Sequence, residues 1–133
     1  MGKKLGIKPG AFVGLVRAPK DFARTLGDLP EGVSIGDGAK GKGPFDVVVL
    51  FASRTSELER ALPPMKAKLD NAGGLWIGWP KKSRARGPHV PLTDLDEGKV
   101  RALGLDAGLV DNKVCAIDEV WSGLRFVYRL RDR

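Results

Sequence analysis

Apolar residues along this chain fall into short unbroken runs, separated by stretches in which they recur every three or four positions. Ala11-Phe12-Val13-Gly14-Leu15-Val16 is one such run. Runs without alternation suit strands buried on both faces, as in the middle of a parallel sheet. Asp46-Val47-Val48-Val49-Leu50-Phe51 is rich in β-branched residues and predicts the firmest strand, with Leu75-Trp76-Ile77-Gly78-Trp79 as another. Gly32-Val33-Ser34-Ile35 is weaker and predicts an outer strand, followed by a glycine-rich loop from Gly36 to Pro44.

The intervening stretches have helical spacing. Pro19 can open a helix, because its missing N–H would be unpaired there anyway; Phe22 and Leu26 share one face and Gly27 is a natural stop. Ser56 and Glu59 have capping-box spacing, and Leu58, Ala61, Leu62, Met65 and Leu69 form one apolar face. Pro63-Pro64 predicts a kink or restart within it, and Asn71-Ala72-Gly73-Gly74 its end. Thr93 is the expected cap of a last helix, with Asp94, Asp96 and Glu97 in its first turn, Leu95, Val100 and Leu103 inward, and Gly104 as terminator.

Two strands then run consecutively: Val114 to Ile117, a turn at Trp121-Ser122-Gly123, and a return from Leu124 to Leu130. Strands alternating with helices argue a parallel sheet with right-handed crossovers and helices on both faces. The closing hairpin adds an antiparallel strand. The expected fold is therefore α/β, a mostly parallel sheet with helices on both faces and a C-terminal antiparallel β-hairpin, in one domain over 1–133.

Composition changes this picture little. At 133 residues, 42% hydrophobic and 29% charged, the chain has the balance of a soluble globular domain. No apolar run reaches the ~20 residues of a membrane span, and Met1 to Gly6 lacks a signal peptide's apolar core. Cys115 is the only cysteine, so no intrachain disulfide can form; with the other signs, a cytoplasmic location is expected. The net charge of +7 suggests an anionic partner of some kind or simply solubility, and surface charge alone explains most such values.

Several motifs resemble known proteins. Leu5-Gly6-Ile7-Lys8-Pro9-Gly10, Leu69 to Pro80 and the closing hairpin look like the corresponding parts of class I S-adenosylmethionine-dependent methyltransferases. Nearly the whole chain further resembles a small bacterial family known as domain of unknown function 3052. That resemblance rests on Leu5 to Gly10, Ala18-Pro19 with Phe22, Leu29-Pro30-Glu31-Gly32, Trp79-Pro80-Lys81-Lys82, Asp111 to Glu119 and Trp121-Ser122-Gly123-Leu124-Arg125-Phe126. It implies a truncated Rossmann-like (methyltransferase-like) sheet whose last strand is inserted between its two predecessors, and no established activity.

The same resemblance implies a glycine-rich turn after the first strand and an acidic residue after the second, for the cofactor. The chain instead has Val16-Arg17-Ala18-Pro19-Lys20, with only Asp37 as acid, and Gly36 to Phe45 is too short for a third βα unit. Methyl transfer is therefore not the favoured expectation, no cofactor is expected, and no catalytic residue is assigned. A non-catalytic binding or regulatory module is expected instead, with a divergent methyltransferase as the alternative.

Ligands of such sheets lie outside the carboxyl ends of the strands. That edge is expected to hold Arg17, Arg54, Lys81 and Lys82, joined by Asp118, Glu119, Trp121 and Ser122 of the hairpin. Cations beside an indole suit a phosphate-bearing or nucleotide-like ligand, through charge-assisted hydrogen bonds and stacking. The plainer possibility is solvated loop charges around a core tryptophan. Asp118 and Glu119, as neighbours in a strand, need not share a site, and Cys115 reads as a buried thiol. His89 stands alone, so no metal site is expected. A protein partner or a homodimer would use the same edges. Lys81-Lys82-Ser83-Arg84-Ala85-Arg86 could contact nucleic acid, though four charges give only weak, salt-sensitive attachment.

Overall fold

The structure is a computed structural model that describes residues 2–81 and 92–133. Its elements are α1 (Gly2–Leu5), β1 (Phe12–Val16), α2 (Phe22–Leu26), β2 (Ser34–Asp37), β3 (Phe45–Phe51), α3 (Thr55–Ala67), β4 (Leu69–Pro80), α4 (Glu97–Asp106), β5 (Leu109–Ala116) and β6 (Trp121–Tyr128). They form one six-stranded sheet in the order β2-β1-β3-β4-β6-β5. The first four strands are parallel, and β6 runs antiparallel between β4 and β5. No βα unit intervenes between β2 and β3, so β2 is an edge strand.

Each face of the sheet has its own core. On one, α3 and α4 lay Leu58, Leu62, Met65 and Val100 against Val48, Leu50, Leu75, Leu124 and Phe126. On the other, Leu5, Phe22 and Leu26 cover Val13, Val49, Phe51 and Trp76, and the Trp76 indole N–H donates to the Leu5 carbonyl at 2.9 Å. Trp76 is fully buried and Trp79 is 5% exposed, as expected of core residues. Among the described residues no helix is long and apolar enough to cross a membrane.

Several element boundaries differ from those the sequence predicts. The helix α3 runs unbroken through Pro63 and Pro64. Both prolines are on its exposed side, where the carbonyls they leave unpaired face water, while Leu62 and Met65 stay buried. The α3 start is organised by Glu57 rather than Glu59: its carboxylate accepts the backbone N–H groups of Ser53 (3.0 Å) and Arg54 (3.2 Å).

Leu69 belongs to β4 and not to the helix, and Asp70-Asn71-Ala72-Gly73 bulge out of that strand instead of ending α3. Phe45 pairs with Leu69 and Val47 with Gly74, so all four face the single residue Asp46. Asp96, not Thr93, caps α4, accepting from the Lys99 N–H at 2.8 Å. Gly104 lies inside α4 because its bare Cα faces Phe126; an added Cβ would stand 2.0 Å from the ring. Gly108, with φ +91°, makes the turn out of the helix region instead.

The hairpin also turns earlier than its sequence suggests. Trp121, Ser122 and Gly123 are in β6, opposite Pro80, Trp79 and Gly78. The connection is 117–120, closed by the Ile117 and Asp118 N–H groups on the Trp121 carbonyl at 2.9 and 3.2 Å. Gly123 is a packing glycine: a Cβ there would stand 3.0 Å from Ile117.

Candidate functional site

At the carboxyl edge of the parallel strands an open cleft of about 540 Å³ lies between the loops after β1 and β3 and the start of β6. Arg17, Pro19, Phe51, Ser53, Glu57 and Trp121 line it. Its inner wall is aromatic. Phe51 meets Phe22 at 4.9 Å between ring centroids and Trp121 at 5.1 Å, both edge to face, which locks the rings and leaves the Trp121 indole partly exposed.

Its rim is polar. Arg17 closes β1 with φ 58°, the only non-glycine residue with positive φ in the described backbone. This conformation costs an L-residue roughly 1–2 kcal/mol and needs support from its surroundings. The support comes from Glu57, whose Oε2 pairs with the Arg17 guanidinium across the mouth. The other oxygen, Oε1, accepts from the Ser53 N–H and hydroxyl and from the Arg54 N–H. The hydrogen bond from the Ser53 N–H, the Arg17 charge and the Arg54 N–H hold the Glu57 pKa below its usual value, against the opposing effect of burial. Glu57 is thus ionised at neutral pH. The Arg17 side chain is 54% exposed and keeps donors free for a ligand.

The other expected site residues scatter. Arg54 is exposed at the α3 start and does not line the cleft. Lys81 is tied to the hairpin: its N–H donates to Val120 and its amino group to the Asp118 carbonyl, at 2.7 and 2.8 Å. Asp118 is used by its own turn, its Oδ1 accepting the Val120 and Trp121 N–H groups at 2.7 and 2.8 Å. Glu119 is exposed, and Ser122 is a strand residue paired with Trp79 and Ala116. Lys82, Arg84, Arg86 and His89 lie outside the described residues. Asp37 closes its own turn, accepting the Ala39 and Lys40 N–H groups at 2.8 and 3.1 Å. Cys115 is partly buried in β5, and burial pushes its thiol pKa up.

The structure therefore brings together Arg17 and Trp121 and adds Phe51 and Glu57, which sequence reasoning missed. The missed signal was local: an acidic residue three places after Arg54 can reach back to the free N–H groups of a helix start.

Comparison with known proteins shows the fold. No protein-family model and no curated protein sequence matches the chain, so the likeness to domain of unknown function 3052 rests on the motifs quoted above. Among solved structures, an S-adenosylmethionine-dependent methyltransferase from Aquifex aeolicus is similar at TM-score 0.67 and 17% identity, over 93% of this chain and 85% of that one. Fibrillarin from Aeropyrum pernix, in complex with S-adenosylmethionine, is similar at TM-score 0.60 and 13% identity, over 91% and 68% of the two chains. Magnesium protoporphyrin IX methyltransferase from Synechocystis PCC 6803, with bound S-adenosylhomocysteine, matches at TM-score 0.53 and 15% identity over 82% of this chain. This chain spans about half that enzyme's length, 56% in the alignment. Strand order, inserted antiparallel strand and these likenesses agree: the chain has a methyltransferase-like α/β fold.

Proposed function

We propose that the chain is a non-catalytic binding module that has kept a methyltransferase-like sheet and given its carboxyl edge to an anionic, ring-bearing ligand of nucleotide type. One observation carries the reading. At the turn after β1, where that fold brings glycine backbone close to its cofactor, the chain has Arg17 at φ 58° with its side chain drawn across the mouth to Glu57.

The residues present do not fit S-adenosylmethionine. Arg17 and Pro19 put bulk where a bare backbone is required, and Pro19 has no N–H to offer. The Asp37 carboxylate, the candidate partner for the ribose hydroxyls, spends Oδ1 on two N–H groups of its own turn and offers only Oδ2. Those features support a different occupant. The partly exposed Trp121 indole offers an apolar surface for a ring, and Arg17 offers charged donors for a phosphate.

Tryptophan fluorescence tests this directly, because Trp76 and Trp79 are buried and only Trp121 borders the cleft. Titration with adenosine 5′-monophosphate should change the emission saturably. Arg17→Ala should weaken the response at least about tenfold, the loss of one charge-assisted contact. A linear, non-saturating response, or one unchanged by Arg17→Ala, would overturn the proposal.

A further inference from the structure

A second cleft, of about 370 Å³, opens at the opposite end of the sheet, beside the amino ends of β1, β3 and β4. Three stretches that sequence analysis singled out meet there. The segment before β1 contributes Lys8 and Gly10, the β4 bulge contributes Asp70 and Gly73, and β6 contributes Arg125. The closing hairpin thus reaches both ends of the sheet, and its end away from the turn is the one that places a cation in a cleft.

Arg125 is the unusual group. It projects from β6 between Trp76 and Lys113, on the strands either side. Its guanidinium lies flat across Gly74, where an added Cβ would stand 2.5 Å from Nε. It is partly buried, yet among the described residues it makes no hydrogen bond and no ion pair. Burial and the nearby Arg133 push its pKa down, so its charge stands uncompensated. Lys113, directly opposite on β5, offers no counter-charge. A guanidinium held this way favours an anion.

The same cleft also has carboxylates, set apart from Arg125. Asp46 spends Oδ2 on the Phe12 N–H at 2.7 Å, and Asp70 spends Oδ2 on the Ala72 N–H at 3.0 Å. Each leaves Oδ1 without a partner among the described residues, and neither forms an ion pair with Arg125. Opposite charges that line one cleft without meeting are complementary to a molecule with the reverse arrangement. A simple dianion is disfavoured, since it would face two carboxylates as well as the guanidinium. The volume lies at the small end of ligand pockets, which suits a compact molecule.

We propose that this second cleft binds a small zwitterion of the α-amino carboxylate type, with its carboxylate on Arg125 and its ammonium on the free oxygens of Asp46 and Asp70. The proposal is independent of the reading of the carboxyl edge. Gly74 is then a positioning residue, bare so that the guanidinium can lie across it.

The test is an amide-resolved NMR titration of the full chain with L-alanine, L-serine and L-glutamine, with propionate and inorganic phosphate as controls. The amino acids should shift the amides of Gly10, Gly73 and Gly74 saturably, and propionate should bind at least about tenfold more weakly for want of the ammonium. Arg125→Gln should abolish the shifts while keeping the fold, because it relieves a desolvated charge. Asp70→Asn should weaken them severalfold, and it tests the ammonium end if Arg125→Gln does not fold. No saturable shift with any amino acid overturns the proposal. So does binding of phosphate or propionate as tight as that of the amino acids, which would mark a plain anion site, and so does unchanged binding by Asp70→Asn.

Discussion

Replacing Glu57 by alanine removes an acceptor that four donors share: the Ser53 N–H and hydroxyl, the Arg54 N–H and the Arg17 guanidinium. Bonds to a charged acceptor contribute ~1.5–3 kcal/mol each when fully buried, but this site is partly open and water recovers much of that. The loss resembles that of a helix cap plus one further bond, so about 2 kcal/mol is expected for Glu57→Ala. With a urea slope of roughly 2 kcal/mol/M for a domain of this size, the midpoint should fall by about 1 M. Glu57→Gln keeps an amide oxygen for Ser53 and Arg54 and loses mainly the pairing with Arg17, which is half exposed and screened. That variant should lose about 0.5 kcal/mol, less at high salt.

The pH dependence has a fixed sign. Because the folded pKa of Glu57 is lowered from 4.5, its charge contributes stability that is fully present above 4.5. That contribution is lost as pH falls through the lowered folded value, so wild type and Glu57→Gln should converge in acid. Urea titrations of the three proteins at neutral pH and at two acidic values make the comparison. If Glu57→Ala is no less stable than Glu57→Gln, or if the gap to Glu57→Gln widens in acid, the reasoning about this rim is wrong.

Two other substitutions test the frame around the site. Asp118→Ala leaves the Val120 and Trp121 N–H groups without their acceptor and should cost about 1–2 kcal/mol in urea unfolding, with the loss of one ordered hairpin turn visible by amide exchange; an unchanged midpoint would contradict the turn geometry. Gly104→Ala should be destabilising by about 1–3 kcal/mol or more, despite alanine's better helix propensity, because its Cβ overlaps Phe126. A stabilised Gly104→Ala would show that α4 does not sit on β6 as described.

The fold class was legible because it depends on coarse features: unbroken apolar runs at Ala11 to Val16 and Asp46 to Phe51, then two strands without a helix between them. The place of β6 between β4 and β5 was legible only through the methyltransferase resemblance. Boundaries were less legible where a residue serves tertiary packing rather than local structure. Gly104 looked like a helix stop and is a contact surface for Phe126; Gly123 looked like a turn and makes room for Ile117. Proline's local penalty mispredicted α3, because Pro63 and Pro64 fall on the wet side while Leu62 and Met65 hold the helix to the sheet.

At the site, Arg17 and Trp121 were legible because one follows β1 and the other begins β6 at the edge where ligands of such folds lie. Asp118, assigned by sequence to the ligand edge, instead closes its own turn onto backbone N–H groups two and three residues on, a role that aspartate favours but that a strand-and-turn pattern does not place. Arg125 was legible only as part of a motif. Its lack of a carboxylate partner among the described residues depends on tertiary placement, which residue type does not show.

The most direct measurement is a calorimetric titration of the full chain with S-adenosylmethionine at low salt. With Arg17 and Pro19 at the turn after β1 and Asp37 Oδ1 held by its own loop, no saturable heat is predicted. Stoichiometric binding with a micromolar dissociation constant would contradict the account and restore a methyltransferase reading of this edge.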